Sequence, residues 1–402
     1  RVRDAMQRSF AGSIVTVGGT NGKGSTCAML EAILRAAGYR VGLYSSPHLL
    51  RYAERVRVNG LEVPDPRLCQ AFERVEAARQ GLGGVVPLTY FEFGTLAAWE
   101  IFTAEALDVL ILEVGLGGRL DAVNIFDADC AVLTSIDMDH MDYLGDTREL
   151  IGAEKAGIFR PGKAAVVADP LPPASVIARA AAIGADLQLI GRDFGYQGDR
   201  RQWLYWGRGT RRAGLAYPAL RGANHLLNAS AALAALDAVG DRMPVGMNDV
   251  RRGFSEVELP GRFQVLAGRP SVVLDVAHNP HAAAVLADNL SNMGFFPETY
   301  AVFGMLADKD IGGVCRALKG RIAAWHVCTL PEPRGAGREV LARAVAETGA
   351  GGEVRQFDSP RDGYAEARRR ANENDRIIVF GSFLTVADVM AAISPENRPI
   401  GR

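Results

Sequence analysis

Residues 15–26 read Val15-Thr16-Val17-Gly18-Gly19-Thr20-Asn21-Gly22-Lys23-Gly24-Ser25-Thr26. Apolar β-branched residues lead into a glycine-rich turn, and a lysine, two hydroxyl residues and a helical pattern follow it. This order predicts a strand, then a loop whose N–H groups and lysine face an anion at a helix N-terminus. We therefore expect Lys23 to contact the phosphates of a nucleotide. The alternative is a plain glycine-rich turn with an exposed lysine.

The loop departs from the common phosphate-loop pattern at two positions. That pattern has a glycine five residues before its Gly-Lys pair and a serine or threonine directly after the lysine. This chain has Val17 and Gly24 there, and its hydroxyl comes one residue later, at Ser25. We interpret the segment as a variant phosphate loop in which the residue after the lysine need not bind the metal.

The composition indicates an ordinary globular protein. The 402 residues are too many for one core, so two domains are expected, and 48% hydrophobic with 23% charged residues is typical of globular chains. A net charge of -1 and short apolar runs predict neither a nucleic-acid nor a membrane partner. Five cysteines without a Cys-x-x-Cys pair favour reduced thiols and a cytoplasmic location, and they argue against a structural zinc site.

Short apolar runs alternate with amphipathic helical stretches along the chain. This alternation predicts an α/β fold with mostly parallel sheets that are covered on both faces. The predicted strands are 14–17, 41–44, 109–114, 131–136, 164–168, 272–276, 300–304, 325–329 and 377–380. The predicted helices are 25–37, 66–79, 94–106, 147–158, 174–183, 224–239, 248–255, 280–293, 311–319, 338–347, 361–372 and 384–393.

A Pro-Gly break at residues 259–262 predicts the domain boundary. We expect a P-loop-containing N-terminal domain over 1–258, a linker over 259–264, and a smaller Rossmann-like domain over 265–402. Residues 186–222, rich in Trp, Tyr, Gly and Arg, are predicted to form a small antiparallel insertion. Because the chain begins with Arg1 and not Met, we expect a leading segment to have been removed or left out.

Polar residues collect where the predicted strands end. Ligands of such sheets bind at the carboxyl ends of the strands, so these positions are candidate site residues. Glu113 leaves a buried strand and needs a cationic partner, either a divalent metal or Arg119. Lys155 by itself indicates only a lysine at a helix C-terminus. The other strand-end groups are Ser46 within 45–48, His140 within 137–142, Asp275 and His278 within 275–281, and residues 381–385; each of these also fits a turn or a helix cap.

With these pieces in place, the chain resembles the folylpolyglutamate synthase/dihydrofolate synthase family, a branch of the Mur-ligase-like ATP-dependent amide ligases. Nine segments carry the resemblance, cover nearly the whole chain and occur in the family's order. They are GTNGKGST at 19–26, YSSPHLLRYAERVRVNG at 44–60, LTYFEFGTLAAWE at 88–100, EVGLGGRLDAVNI at 113–125, SIDMDHMDYLG at 135–145, EKAGIFRPGK at 154–163, LPGRF at 259–263, DVAHNPHAA at 275–283 and FGSFLTVADVM at 380–390.

The resemblance implies roles for particular residues. It places Lys23, Lys155 and His278 among the catalytic residues, with Lys155 carbamylated, and it implies a site for Mg²⁺, with two ions expected. The metal positions are Ser46, Glu113 and His140. The ATP contacts are Thr20, Asn21, Gly22, Lys23, Gly24, Ser25, Asn228, Arg262 and Asp275. The positions around the pterin-bearing substrate are Thr89, Tyr90, Phe91, Glu92, Leu120, Asp121 and Ala122.

The resemblance also implies a reaction. ATP would activate a carboxylate as an acyl phosphate, and L-glutamate would then attack it, extending dihydropteroate to dihydrofolate and reduced folates to polyglutamates. The family suggests a monomer, and its leading segment contributes to the dihydropteroate pocket. The alternatives are a Mur-type ligase that adds an amino acid to a UDP-sugar peptide, and a nucleotide-dependent binding protein without ligase chemistry.

Overall fold

The computed structural model describes residues 1–84, 86–199, 201–220 and 224–393. These residues divide into two compact units. The first unit comprises residues 1–48, 52–219 and 225–258. The second comprises the described residues of 49–51, 220–224 and 259–393.

The first unit contains an eight-stranded sheet and a separate three-stranded sheet. Its strands are β1 (Ser13–Gly18), β2 (Val41–Tyr44), β3 (Val56–Val58), β4 (Leu61–Glu62), β5 (Val109–Glu113), β6 (Cys130–Leu133), β7 (Ala164–Val167), β8 (Asp186–Leu189), β9 (Gly195–Gly198), β10 (Trp203–Gly207) and β11 (Thr210–Leu215). Its helices are α1 (Val2–Ala5), α2 (Lys23–Ala36), α3 (Asp65–Gln80), α4 (Tyr90–Ala104), α5 (Met141–Leu144), α6 (Arg148–Lys155), α7 (Ala174–Ile183), α8 (His225–Ala238) and α9 (Met247–Glu256).

The large sheet has the order β4-β3-β2-β5-β1-β6-β7-β8. The neighbouring strands β2, β5, β1, β6, β7 and β8 pair in parallel, whereas the two pairs at one edge, β2–β3 and β3–β4, are antiparallel. Every residue of β1, β2, β5 and β6 is buried, as expected for a sheet covered on both faces. The parallel order brings the carboxyl ends of β2, β5, β1 and β6 side by side.

The prediction of one antiparallel insertion over 186–222 is wrong in part. β8 pairs in parallel with β7 and extends the large sheet, and only β9, β10 and β11 form the small antiparallel sheet. Leu187 and Leu189 of β8 pack against the core of the first unit, which a solvent-exposed insertion would not allow. Part of the predicted segment, at Arg200 and at 221–222, lies outside the described residues.

The second unit is a six-stranded sheet with the order β12-β13-β17-β14-β15-β16. Its strands are β12 (Gln264–Leu266), β13 (Ser271–Leu274), β14 (Thr299–Phe303), β15 (Ala324–Cys328), β16 (Glu353–Phe357) and β17 (Arg376–Phe380). Its helices are α10 (Pro280–Asn292), α11 (Ile311–Ala317), α12 (Arg338–Glu347), α13 (Pro360–Arg370) and α14 (Phe383–Ile393).

All strand pairs of this second sheet are parallel except β12–β13. Apolar clusters cover the two faces of the sheet. The predicted α/β class with mostly parallel sheets is confirmed for both units. Within the described ranges, none of the helices combines the length and the apolar character that crossing a membrane requires.

Candidate functional site

The phosphate loop connects β1 to α2 and leaves the first turn of the helix open. Gly22 is the N-cap of α2 and has a left-handed φ of 91°, which an L side chain adopts only with strain. A Cβ at Gly22 would also lie 2.5 Å from Oδ1 of Asn228, at the start of α8. The loop therefore needs glycine here for both conformation and space, and the N–H groups of the first helical turn are suited to an anion.

The segment that follows the neighbouring strand β6 fixes the shape of this loop. Thr20 donates its N–H to the Ser135 carbonyl at 2.6 Å, and its hydroxyl accepts the N–H of Asp137 at 3.0 Å. The Thr134 hydroxyl donates to the Asn21 carbonyl at 2.6 Å, and the Ser135 hydroxyl accepts the Asn21 N–H at 3.1 Å. The loop is thus held in place before any ligand arrives.

Two lysines converge on one carbonyl oxygen of the loop. Nζ of Lys23 and Nζ of Lys155 each donate to the Gly19 carbonyl at 3.0 Å. Lys155 is only 4% exposed, at the end of α6. Burial, reinforced by the charge of Lys23 and opposed by the carboxylates of Asp139 and Asp121, lowers the pKa of Lys155 from its ordinary 10.5 to about 7. A substantial fraction of Lys155 is therefore a neutral amine at neutral pH.

The loop after β5 packs directly against the end of α6. A Cβ at Gly118 would lie 2.8 Å from the carbonyl oxygen of Lys155, and the N–H of Arg119 donates to the Glu154 carbonyl at 2.8 Å. The Arg119 guanidinium also pairs with the Glu154 carboxylate at 3.0 Å. The glycine pair of GGRLDA allows this close approach.

Glu113 ends β5 with its side chain only 3% exposed. One carboxylate oxygen accepts the N–H of Ser46 at 3.2 Å, which ties the ends of β2 and β5 together. Two of the three predicted metal positions therefore lie within hydrogen-bond distance of each other. Across the described ranges, no three His, Cys, Asp or Glu side chains form a cluster that could hold a metal by themselves.

The third predicted metal position, His140, follows β6 and caps the short helix α5. It has a left-handed φ of 52°, an uncommon conformation for a residue with a side chain and one that occurs at functional sites. Its N–H donates to Oδ1 of Asp139 at 2.9 Å, and its Nε2 lies 3.8 Å from Oδ2 of the same carboxylate. Asp139 thus joins the imidazole to the surroundings of Lys155.

The predicted substrate positions form two short segments of the first unit. Thr89 and Glu92 build a capping box at the start of α4, with Thr89 N–H donating to Glu92 at 2.7 Å. Tyr90 and Leu120 are 65% and 79% exposed, large apolar surfaces that a planar ligand could cover. Buried Asp121 accepts the N–H groups of Leu116 and Val123 at 2.8 and 3.0 Å, and it caps the turn that begins at the next predicted position, Ala122.

In the second unit, the predicted residues cluster at the end of β13. The Asp275 carboxylate accepts the N–H groups of Phe263 and Ala277 at 2.9 and 2.7 Å, and burial raises its pKa. Nδ1 of His278 lies 2.9 Å from the Val276 carbonyl, and Asn279 caps α10. The Asp275 contacts fix the backbone beside Arg262.

Sequence reasoning missed the residues that hold the site in shape. Thr134 and Ser135 orient the phosphate loop, and Asp139 lies in contact with His140 and influences the pKa of Lys155. Their only signal was the polar stretch that follows the apolar run of β6. The roles of these residues depend on the loops that they contact in the folded protein. The spacing of residues along the chain does not reveal those contacts.

Two family models match the chain. The Mur ligase middle domain matches residues 89–190, and the glutamate ligase domain of Mur ligases matches residues 261–383. The dihydrofolate synthase/folylpolyglutamate synthase of Escherichia coli (strain K12) is 46% identical over 384 residues, which cover 96% of this chain and 87% of that protein.

Solved structures agree with these matches. FolC of E. coli in complex with DHPP and ADP superposes with a TM-score of 0.92 at 44% identity, covering 98% of this chain and 92% of the other. A bifunctional folylpolyglutamate synthase/dihydrofolate synthase with Mn, AMPPNP and L-glutamate bound superposes with a TM-score of 0.89 at 45% identity, covering 98% and 93%.

Proposed function

The chain belongs to the dihydrofolate synthase/folylpolyglutamate synthase family, and from this premise we propose which of its residues carry the reaction. It is an ATP-dependent ligase that adds L-glutamate to a carboxylic acid. The observation that carries our assignment is the convergence of Lys23 and Lys155 on the Gly19 carbonyl, at the open N-terminus of α2.

We propose that the acceptors are 7,8-dihydropteroate and reduced folates. Their carboxylate is a poor electrophile, so an amine cannot displace oxide from it directly. The γ-phosphoryl group of ATP passes to a carboxylate oxygen, the O–Pγ bond to ADP breaks, and an acyl phosphate forms. The α-amine of glutamate then attacks the acyl carbon, loses a proton and expels phosphate, leaving an amide.

The phosphate loop would position the triphosphate for the first step. The N–H groups of residues 22–25 would face the anion, whereas those of Thr20 and Asn21 are donated to Ser135 and hold the loop in shape. The Lys23 ammonium would offset the charge that develops on the transferring phosphoryl group. The Asn228 amide, beside Gly22, is placed to contact the same phosphates. The resemblance assigns further ATP contacts to Arg262 and Asp275, and a role near the reacting groups to His278.

The enzyme works with ATP and a divalent metal ion, and we propose Mg²⁺, with two ions. Glu113 and Ser46 fit such an ion, because Mg²⁺ beside phosphates takes one or two protein carboxylates and keeps its remaining positions for phosphate oxygens and waters. His140 would be the third protein ligand. When bound, the metal neutralises charge on the phosphates and orients them.

We propose that Lys155 is carbamylated. The reaction with CO₂ needs a neutral amine: an N–C bond forms and one proton is released. A pKa of about 7 makes that amine available at neutral pH, and the carbamate would replace a buried cation with an anion. The change from cation to anion would also remove the repulsion between Lys155 and Lys23.

Thr89–Glu92 and Leu120–Ala122 would bind the pterin-bearing acceptor. Exposed Tyr90 and Leu120 offer apolar surface for a planar ring. We further propose a monomer, as the resemblance implies, and a cytoplasmic location, which the five free cysteines support. The proposed domains are 1–258 and 265–402, joined by 259–264. The division between residues 258 and 259 supports that boundary.

A ligation assay with ATP, Mg²⁺ and L-glutamate tests these roles. Dihydropteroate and a reduced folate are supplied in parallel, and mass spectrometry of the products shows which carboxylate was extended. Lys23→Ala is expected to lose at least about 100-fold in rate, because a positioned charge at the transferring phosphoryl group is removed. Lys163→Ala is the matched control, since Lys163 forms a half-exposed ion pair with Asp129.

Wild-type rates in Lys23→Ala would overturn the assigned role of the loop. ATP hydrolysis by the wild type that needs neither acceptor nor glutamate would instead favour a nucleotide-dependent binding protein. Turnover of a UDP-sugar peptide in place of both pterins would favour the Mur-type alternative.

A further inference from the structure

Phe383 is the first residue of α14, in the segment 381–385 that follows β17. The turn before it is held firmly. The Ser382 hydroxyl accepts the Leu384 N–H at 3.2 Å, and the fully buried Thr385 hydroxyl donates to the Gly304 carbonyl at 2.8 Å. The Phe383 ring is half-buried and packs against the core on one face of the second sheet. Its direction is therefore set by the fold.

This ring contacts two residues that were assigned to the site on other grounds. The guanidinium carbon of Arg262 lies 5.1 Å from the ring centroid, within the range of a cation–π interaction. The imidazole of His278 lies 6.4 Å from it, centroid to centroid, at an interplanar angle of 50°. One aromatic side chain thus adjoins both a cation and an imidazole.

The strand order explains why these three residues meet. β13 and β17 are parallel neighbours with Leu274 opposite Val379, and the Asp275 N–H donates to the Val379 carbonyl at 3.0 Å. The segments that leave these two strands therefore start side by side. The Asp275 carboxylate holds the backbone N–H of Phe263, so the main chain next to Arg262 is fixed as well.

We propose that Phe383 is a positioning residue that holds the Arg262 guanidinium in the orientation in which its N–H edge binds an anionic phosphate. A guanidinium carries N–H donors along its planar edge, so a contact of its charge with a ring face is compatible with bidentate hydrogen bonds to an anion on the side away from the ring. The contact also reduces the rotamer freedom of a long side chain before the ligand arrives. The inference rests on the proposed role of Arg262 in ATP binding.

The first test compares Phe383→Leu with Phe383→Tyr. Leucine keeps apolar volume but has no ring face, whereas tyrosine keeps the face. Phe383→Leu is expected to raise the KM for ATP about 5-fold, with smaller changes in kcat and in the KM for glutamate. Phe383→Tyr is expected to keep the KM for ATP at the wild-type value. Phe295→Leu, at a phenylalanine of the same unit that is 90% exposed, is the control.

A double-mutant cycle with Arg262→Ala separates this inference from the role on which it rests. Phe383→Leu should have no further effect on the KM for ATP once Arg262 is removed, because the ring acts through the guanidinium. A wild-type KM for ATP in Arg262→Ala would overturn the ATP role of Arg262. A raised KM in Arg262→Ala together with an unchanged or fully additive effect of Phe383→Leu would overturn the role of Phe383.

A fluorination series keeps the test decisive if Phe383→Leu does not fold. Fluorinated phenylalanines at position 383 retain the shape of the ring while they weaken the negative potential of its face. The KM for ATP should rise stepwise with the number of fluorines. A flat series in correctly folded protein would show that the ring only fills space.

Discussion

At the scale of single residues, the candidate site depends on charges that the fold brings together. Lys23 and Lys155 come from helices separated by more than a hundred residues, yet both ammonium groups reach the Gly19 carbonyl. The charge of Lys23 disfavours the protonated form of buried Lys155 and so contributes to the lowered pKa of Lys155. The two lysines meet at the point where a bound nucleotide would supply negative charge.

Substitution of Lys155 by Met is predicted to stabilise the protein while it abolishes ligation. The lowered pKa of Lys155 means that the unfolded chain binds more protons between pH 7 and pH 10.5, so the cost of burying the cation is complete below pH 7 and disappears as the pH rises to 10.5. Below pH 7 the variant should gain up to about 5 kcal/mol in its free energy of unfolding. Denaturant titrations at pH 6 and pH 10, in CO₂-free buffer, measure it.

Lys163→Met is the control for that experiment, because its half-exposed ion pair contributes little at either pH. A gain of equal size at both pH values in Lys155→Met would contradict the buried-cation account. Ligation by Lys155→Met at the wild-type rate would show that Lys155 is not needed for the chemistry.

Much of the residue chemistry is visible in the sequence, but its geometry is not. The sequence singles out the phosphate loop, Glu113 and Asp275, because a glycine-rich turn before a helix suits an anion and a carboxylate that leaves a buried strand needs a partner. Lys155 taken alone indicated only a helix C-terminus. Phe383 lay within the strand-end segment 381–385, and nothing in the sequence predicted a role for it. Their roles depend on contacts with Gly19 and Arg262, which lie far away in the chain.

At the scale of elements, apolar runs predict the central strands well because both faces of these strands are buried. β16 was missed because Glu353, Arg355 and Gln356 make most of this edge strand polar, so it lacks the continuous apolar run used to find the others. β8 was assigned to the insertion for the same reason, since Asp186 and Gln188 interrupt its leucines. An edge strand of this kind can be predicted only when the strand that it pairs with is known.

The helix that carries the phosphate loop depends on one close contact between helices. A Cβ at Gly253 of α9 would lie 2.6 Å from Cα of Ile33 in α2, so the two backbones approach closely there. Gly253→Ala is predicted to cost about 1–3 kcal/mol in the free energy of unfolding, because neither backbone can yield easily. The same substitution should displace α2 and raise the KM for ATP.

Gly312→Ala in α11 is the matched control for Gly253→Ala. Its added Cβ would lie 3.2 Å from the flexible end of Arg316 and in ordinary contact, at 3.7 Å, with Cγ2 of Thr348. The substitution should therefore be neutral or stabilising by about 0.5–1 kcal/mol. Urea titrations of both variants and of the wild type measure the difference. Equal stability of the two variants would show that the contact between α2 and α9 can relax.

At the scale of the whole molecule, each unit has a hydrophobic core of its own, and the charges of the chain nearly cancel. With a net charge of -1, the protein as a whole exerts no strong attraction on anionic substrates. On the proposed assignment, the affinity for ATP would come from local groups, namely the N–H groups of the phosphate loop, Lys23 and the metal. If these groups supply the affinity for ATP, their removal should reduce the increase in melting temperature that a bound nucleotide causes.

AMPPNP with Mg²⁺ is predicted to raise the melting temperature of the wild type by about 5 °C at a hundredfold excess over its Kd, since such binding adds about 2.7 kcal/mol to the native state. Lys23→Ala should lose most of this shift, whereas Lys163→Ala should keep it. Without ligand, Lys23→Ala should melt no lower than the wild type, because a cation at the N-terminus of α2 opposes the helix dipole. An equal AMPPNP shift in both lysine variants would place the binding energy elsewhere than in the loop.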